Sequence, residues 1–219
     1  MTLVKICGLT RLRDAVHAEE SGASMLGVIL AGGPRRLSLE AAAQVIGAKR
    51  PAVKRAAVFG DGDADFFHDC AESLDLDILQ LHGDPDVRLV ETMRGRSNRA
   101  LWPVLRVDGT DLPSESEALA NAAGTLVFDA KVVGQLGGTG VALDWRGLRH
   151  AVDTLRTRVP GLQIVLAGGL RPSNVAQAMA LLQPDVVDVS SGVESAPGVK
   201  DPKAVEQFVA AVQTAQRNS

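Results

Sequence analysis

The chain has 219 residues, 46% of them apolar and 22% charged, which suffices for a sizeable core and is far from a disordered composition. With 23 basic and 26 acidic residues the net charge is −3, so no global basic surface exists for nucleic acid or an anionic membrane. Aromatics are 3%, too few for a base-stacking platform. Short β-branched apolar runs then alternate with longer Ala-rich amphipathic segments. Strands are expected at Leu3–Cys7, Ser24–Leu30, Val53–Phe59, Ile78–Leu81, Ala100–Arg106, Thr125–Phe128, Gln163–Leu166 and Val186–Val189. Helices are expected near 11–21, 39–49, 64–74, 85–96, 113–121, 145–157, 173–182 and 202–216.

The punctuation agrees. Thr10, Ser38, Asp144 and Asp201 stand where a short oxygen-bearing side chain accepts from an exposed helical N–H. Pro202 occupies a first helical position, where its missing N–H costs nothing. In the first helix Leu12, Ala15, Val16 and Glu19 are spaced as a buried stripe running into solvent, and Gly22 stops it. Strict alternation implies parallel strands joined by right-handed crossovers. Eight units in about 200 residues is the arithmetic of a single-domain (β/α)8 TIM barrel spanning residues 1–219. A doubly wound open sheet is the alternative.

Two cysteines, Cys7 and Cys70, make no disulfide framework; they allow one bridge, but better fit a reduced, cytoplasmic protein. The first residues lack the basic start and apolar run of a signal peptide, and no stretch reaches the roughly 18 apolar residues of a membrane helix.

In a barrel, reactive groups sit at the C-terminal strand ends and in the loops that follow. Gly168-Gly169 follows the seventh strand and Ser190-Ser191-Gly192 the eighth; loops seven and eight are the usual phosphate site of this fold, and a short helix start would add its dipole. Gly137-Gly138-Thr139-Gly140 fits neither a dinucleotide nor a P-loop motif and reads equally as a turn or a ligand contact. Cys7 by residue type is a small buried hydrophobe, but its position opens on the mouth. Lys5 shares its strand face and would lower its pKa, while the pair expected between Lys5 and Asp188 on the neighbouring eighth strand would partly cancel that help. Asp129 leaves an apolar run, which raises its pKa and keeps a proton to donate, whereas Lys131 would hold it ionised. Arg35 suits a carboxylate, Arg36 reads as a solvated charge, and His82 reads equally as a substrate contact or a structural residue. His17, His68 and His150 fall on helices and His82 stands alone, so no metal-ligand set is visible.

With those residues placed, the chain closely resembles the phosphoribosylanthranilate isomerases of tryptophan biosynthesis. The matching segments are Val4-Lys5-Ile6-Cys7-Gly8-Leu9-Thr10, Pro34-Arg35, Gln80-Leu81-His82-Gly83, Asp129-Ala130-Lys131, Gly137-Gly138-Thr139-Gly140, Leu166-Ala167-Gly168-Gly169-Leu170 and the run from Asp188 to Asp201. The resemblance implies an Amadori rearrangement of N-(5′-phosphoribosyl)anthranilate, with Asp129 as general acid and Cys7 as general base. It implies substrate contacts from Arg35, on the anthranilate carboxylate, and from His82, Gly138, Gly140, Gly168, Gly169, Asp188, Ser190, Ser191 and Gly192. The implied partner is a small phosphosugar, with no nucleic acid, membrane, metal or organic cofactor. Departures are Arg36 in place of the usual aromatic, Val141 in place of a common lysine, and Arg171 in place of a capping asparagine, leaving Ser173 to cap. The rivals are a histidine-pathway type isomerase, which is similar but carries aspartate where Cys7 stands, and a non-catalytic phosphate-binding barrel that would need neither Cys7 nor Asp129.

Overall fold

The computed structural model describes residues 1–47, 53–130 and 143–218. The strands are β1 (Leu3–Ile6), β2 (Met25–Ile29), β3 (Lys54–Phe59), β4 (Ile78–Leu81), β5 (Ala100–Val107), β6 (Thr125–Ala130), β7 (Gln163–Leu166) and β8 (Val186–Val189). Each is followed by a helix: α1 (Leu12–Glu20), α2 (Leu39–Ile46), α3 (Ala64–Ser73), α4 (Val87–Arg96), α5 (Ser116–Ala123), α6 (Trp145–Arg158), α7 (Val175–Leu182) and α8 (Pro202–Arg217). Between β8 and α8 lie a 3-10 turn (Ser191–Val193) and an antiparallel pair, β9 (Glu194–Ala196) and β10 (Val199–Lys200).

β1 to β8 close into a parallel barrel in chain order, with β8 returning to β1 so that Asp188 stands opposite Lys5. That closure excludes the open sheet. Strands covered on both faces must be apolar on both, which is why the runs barely alternate. Ile6, Val28, Phe59 and Leu79 face the helices, while Met25, Ala56, Ile78, Trp102, Val127 and Val165 fill the barrel interior.

Local differences from the expected elements have physical reasons. Thr10 does not cap α1; its hydroxyl donates to Gly198 O across the mouth at 2.5 Å, and the cap position is Arg11, whose side chain makes no capping bond. The buried face of α1 is Asp14, Ala15 and Ala18, not the Leu12–Glu19 stripe, and Leu12 is exposed. The helix is rotated to that face because Asp14 accepts both the Arg11 guanidinium (2.6 Å) and the Lys200 backbone N–H (3.1 Å). Ser38, Asp144 and Asp201 cap as expected, and Asp63 and Asp86 cap α3 and α4. Ser173 is not the cap of α7; Asn174 holds that position and closes the turn by accepting from Arg171 N at 2.7 Å. No described helix is long and apolar enough to cross a membrane.

Candidate active site

Strand parity builds the site. Lys5 and Cys7 are two residues apart, so both point into the barrel. Cys7 extends β1 by donating its N–H to Val189 O at 2.8 Å. The expected Lys5–Asp188 pair forms: the ammonium donates to Asp188 Oδ2 at 2.7 Å and to Gln80 Oε1 at 2.6 Å. Lys5 is fully buried, and only such partners make that tolerable. Burial alone would lower its pKa, but Asp188 and then Cys7 outweigh it and hold the ammonium above its ordinary value. Gly27 on β2 supplies the room: a Cβ there would lie 3.0 Å from both Cys7 Sγ and Lys5 Cε.

For Cys7 the sequence-based expectation is corrected. Its pKa is raised, because burial outweighs the pull of the Lys5 ammonium, and Asp188 pushes the same way as burial. A buried thiol loses the solvation of its charged form, and one neighbouring ammonium, itself held by a carboxylate, does not restore it.

β6 runs two residues past its expected end, so Asp129 lies within the strand, opposite Arg106 of β5. Its carboxylate is buried, and Oδ2 stands 3.8 Å from His82 Nε2. The His82 imidazole is pushed down to about 4, by burial first and the Arg106 charge second, so it is neutral near neutral pH. Both of its ring nitrogens are buried without a hydrogen-bond partner among the described residues. Lys131, Gly137, Gly138, Thr139 and Gly140 lie outside the described residues.

Arg35 is not the open guanidinium that the sequence suggests. Its Nε and Nη2 donate to Glu194 Oε1 (2.8 Å) and Oε2 (2.7 Å), and Lys200 Nζ donates to the same Oε1 at 2.8 Å. Arg36 is exposed and does not line the mouth. The two last loops meet backbone to backbone: a Cβ at Gly192 would fall 1.8 Å from Leu170 O. Gly168 and Gly169 turn with φ of 79° and 66°, a region open to residues without Cβ. The helix start expected after β8 is only the 3-10 turn.

These groups share one cavity of about 610 Å³ at the C-terminal ends of the strands. Cys7, Arg35, Gln80, His82, Asp129, Gly168, Gly169, Asp188, Ser190, Ser191 and Gly192 all line it, so every described site residue expected from the sequence comes together. Asp188 Oδ1 and Ser190 Oγ, like the His82 nitrogens, are buried there with no hydrogen-bond partner among the described residues. Unpaired buried polar atoms are costly, and a ligand that bonds them recovers that cost. Sequence reasoning missed Gln80, which sits on the inward parity of His82 and was legible from that; it also missed Glu194 and Lys200, whose roles need the tertiary fold. No cluster of three or more metal-ligating side chains occurs among the described residues. The arrangement offers a thiol, a carboxylate, a guanidinium and a glycine-rich anion cradle around one sugar-sized space.

A family model described as N-(5′phosphoribosyl)anthranilate (PRA) isomerase matches residues 4–211. An N-(5′-phosphoribosyl)anthranilate isomerase of Geobacter sp. (strain M21) is 42% identical over 212 residues, covering 96% of this chain and 97% of the relative. Phosphoribosyl anthranilate isomerase from Thermotoga maritima superposes with a TM-score of 0.81 at 30% identity, covering 98% of this chain and 100% of that one. A solved complex of such an isomerase with reduced 1-(o-carboxyphenylamino)-1-deoxyribulose 5-phosphate superposes with a TM-score of 0.78 at 29% identity, covering 98% and 100%.

Proposed function

The chain belongs to the N-(5′-phosphoribosyl)anthranilate isomerase family, and from that premise we propose that Cys7 is the general base and Asp129 the general acid of its reaction. The activity is the isomerisation of N-(5′-phosphoribosyl)anthranilate in tryptophan biosynthesis. The observation that carries the residue assignment is the single cavity lined by both side chains.

Asp129 gives its proton to the furanose oxygen as the C1′–O bond breaks, leaving an open-chain Schiff base. The Cys7 thiolate takes the C2′ proton, and the electron pair moves to form the enolamine. The enolamine gains a proton at C1′ and loses its C2′ hydroxyl proton, giving the ketone with no net proton consumed. A thiolate formed against burial is a strong base, which suits a carbon acid. Neutral His82 and Asp188 Oδ1 supply bonds for the sugar hydroxyls, and their unpaired atoms support that role. Ser190, Ser191, Gly168, Gly169 and Gly192 cradle the phosphate, and by the resemblance Gly138 and Gly140 contact the substrate. Arg35 meets the anthranilate carboxylate. The bound product analogue in the related complex is a carboxylated, phosphorylated aminosugar of this kind. The protein works in the cytoplasm, a reading supported by two unpaired cysteines.

Turnover of freshly made N-(5′-phosphoribosyl)anthranilate, followed by fluorescence, tests the assignment. Cys7→Ala and Asp129→Asn fold and bind but lose on the order of 10²–10⁴-fold in kcat. Normal turnover by both variants would refute it.

A further inference from the structure

Arg35 and its surroundings contain more than a substrate contact requires. The Arg35 stem crosses the mouth over Gly8, where a Cβ would lie 2.7 Å from Arg35 Cδ and 2.6 Å from Ser190 Oγ. Its guanidinium then reaches 159 positions along the sequence to Glu194, using the Nε and Nη2 edge. Glu194 is held in turn by Lys200, whose ammonium also donates to Ser190 O at 3.0 Å. The side chains of Glu194 and Lys200 are 4% and 2% exposed. A carboxylate locked to that degree is a fixed strut rather than a mobile surface partner.

A guanidinium carries five N–H donors on a rigid planar fork. The side-on pair with Glu194 uses one on Nε and one on Nη2. Two on Nη1 and one on Nη2 remain, and they form a second edge able to grip another carboxylate. Charge points the same way. Arg35 and Glu194 alone would cancel, and the buried Lys200 returns the cluster to a net single positive charge beside the cavity.

We propose that Glu194 is a positioning residue that sets specificity for a carboxylated substrate, by clamping one edge of Arg35 so that the other faces the substrate carboxylate. The inference rests on the Arg35 reading above. Lys200 completes the device by keeping Glu194 ionised and in place, and by tying it to the Ser190 loop.

The test compares kcat/KM for N-(5′-phosphoribosyl)anthranilate with that for N-(5′-phosphoribosyl)aniline, the same aminosugar without the carboxylate. Arg35→Ala collapses the preference for the carboxylated substrate. Glu194→Gln lowers that preference on the order of tenfold, through KM, and leaves the aniline substrate within about twofold of wild type. Because Glu194→Gln strands the Lys200 ammonium, Glu194→Gln with Lys200→Met is measured alongside. The double variant keeps the cluster's net charge while removing the clamp and the Lys200 bond to Ser190 O. It loses the preference too, and the aniline substrate, which shares the phosphate but lacks the carboxylate, reports any effect of that lost loop bond. If Arg35→Ala collapses the preference and neither Glu194 variant does, the clamp is refuted and the Arg35 reading survives. If Arg35→Ala leaves the preference unchanged, both fall. Equal losses on the two substrates would mean a distorted loop and would overturn the clamp, as would tighter binding of the carboxylated substrate by Glu194→Gln.

Discussion

Lys5, Cys7 and Asp188 illustrate how residue type and neighbour compete. An ammonium two residues from a thiol promises a thiolate, yet the thiol rises, because burial acts on Cys7 fully while the Lys5 charge is shared with Asp188 and Gln80. His82 shows the same effect with the opposite sign of shift, an imidazole kept neutral by burial, and it carries a pH prediction. Its folded pKa of about 4 lies below the ordinary 6.5, so between those values the unfolded chain binds the extra proton. Folding stability from this group is therefore whole above pH 6.5, falls as the pH drops, and levels off below pH 4. The full effect is on the order of 3 kcal/mol. Chemical denaturation of wild type and His82→Gln from pH 4 to pH 7 measures it: the wild type loses more stability on acidification, and parallel curves would contradict the shift.

Caps dominate at the scale of single elements. Asp63 Oδ1 accepts from Phe66 N at 2.9 Å and Asp86 Oδ1 from Leu89 N at 2.8 Å, so α3 and α4 each begin with one exposed donor satisfied. Neither Asp63 nor Asp86 lines the cavity. Asp86→Ala costs about 1 kcal/mol of stability and leaves KM unchanged, readable by thermal unfolding alongside kinetics. A tenfold change in KM would show that the start of α4 reaches the substrate. Thr10 had the same local credentials as Asp63 and Asp86. The carbonyl of Gly198 took its hydroxyl instead, because barrel closure brings the turn between β9 and β10 against the segment before α1. Local propensity decides a cap only where no tertiary partner competes.

Across the whole molecule, the site depends on segments far apart in sequence meeting at van der Waals distance. Gly192 is such a point, against the Leu170 carbonyl. Gly192→Ala must drive loops seven and eight apart, at a cost of about 1–3 kcal/mol in stability. Inhibition by inorganic phosphate then weakens on the order of tenfold. Unchanged phosphate inhibition would remove these loops from the phosphate grip. Apolar runs alternating with amphipathic ones determine the eight strand–helix units, and with them the parallel barrel, since handed crossovers leave few other ways to bury both faces of each strand. That order also places Cys7, His82, Asp129 and Ser190 at one rim, because every parallel strand ends on the same side. Only the tertiary structure decided what those groups experience: that Cys7 is pushed up, that Asp14 rather than Leu12 turns inward, and that Arg35 is clamped by Glu194. Desolvation and pairing depend on three-dimensional neighbours, and in a closed barrel those neighbours come from strands and loops that the sequence keeps far apart.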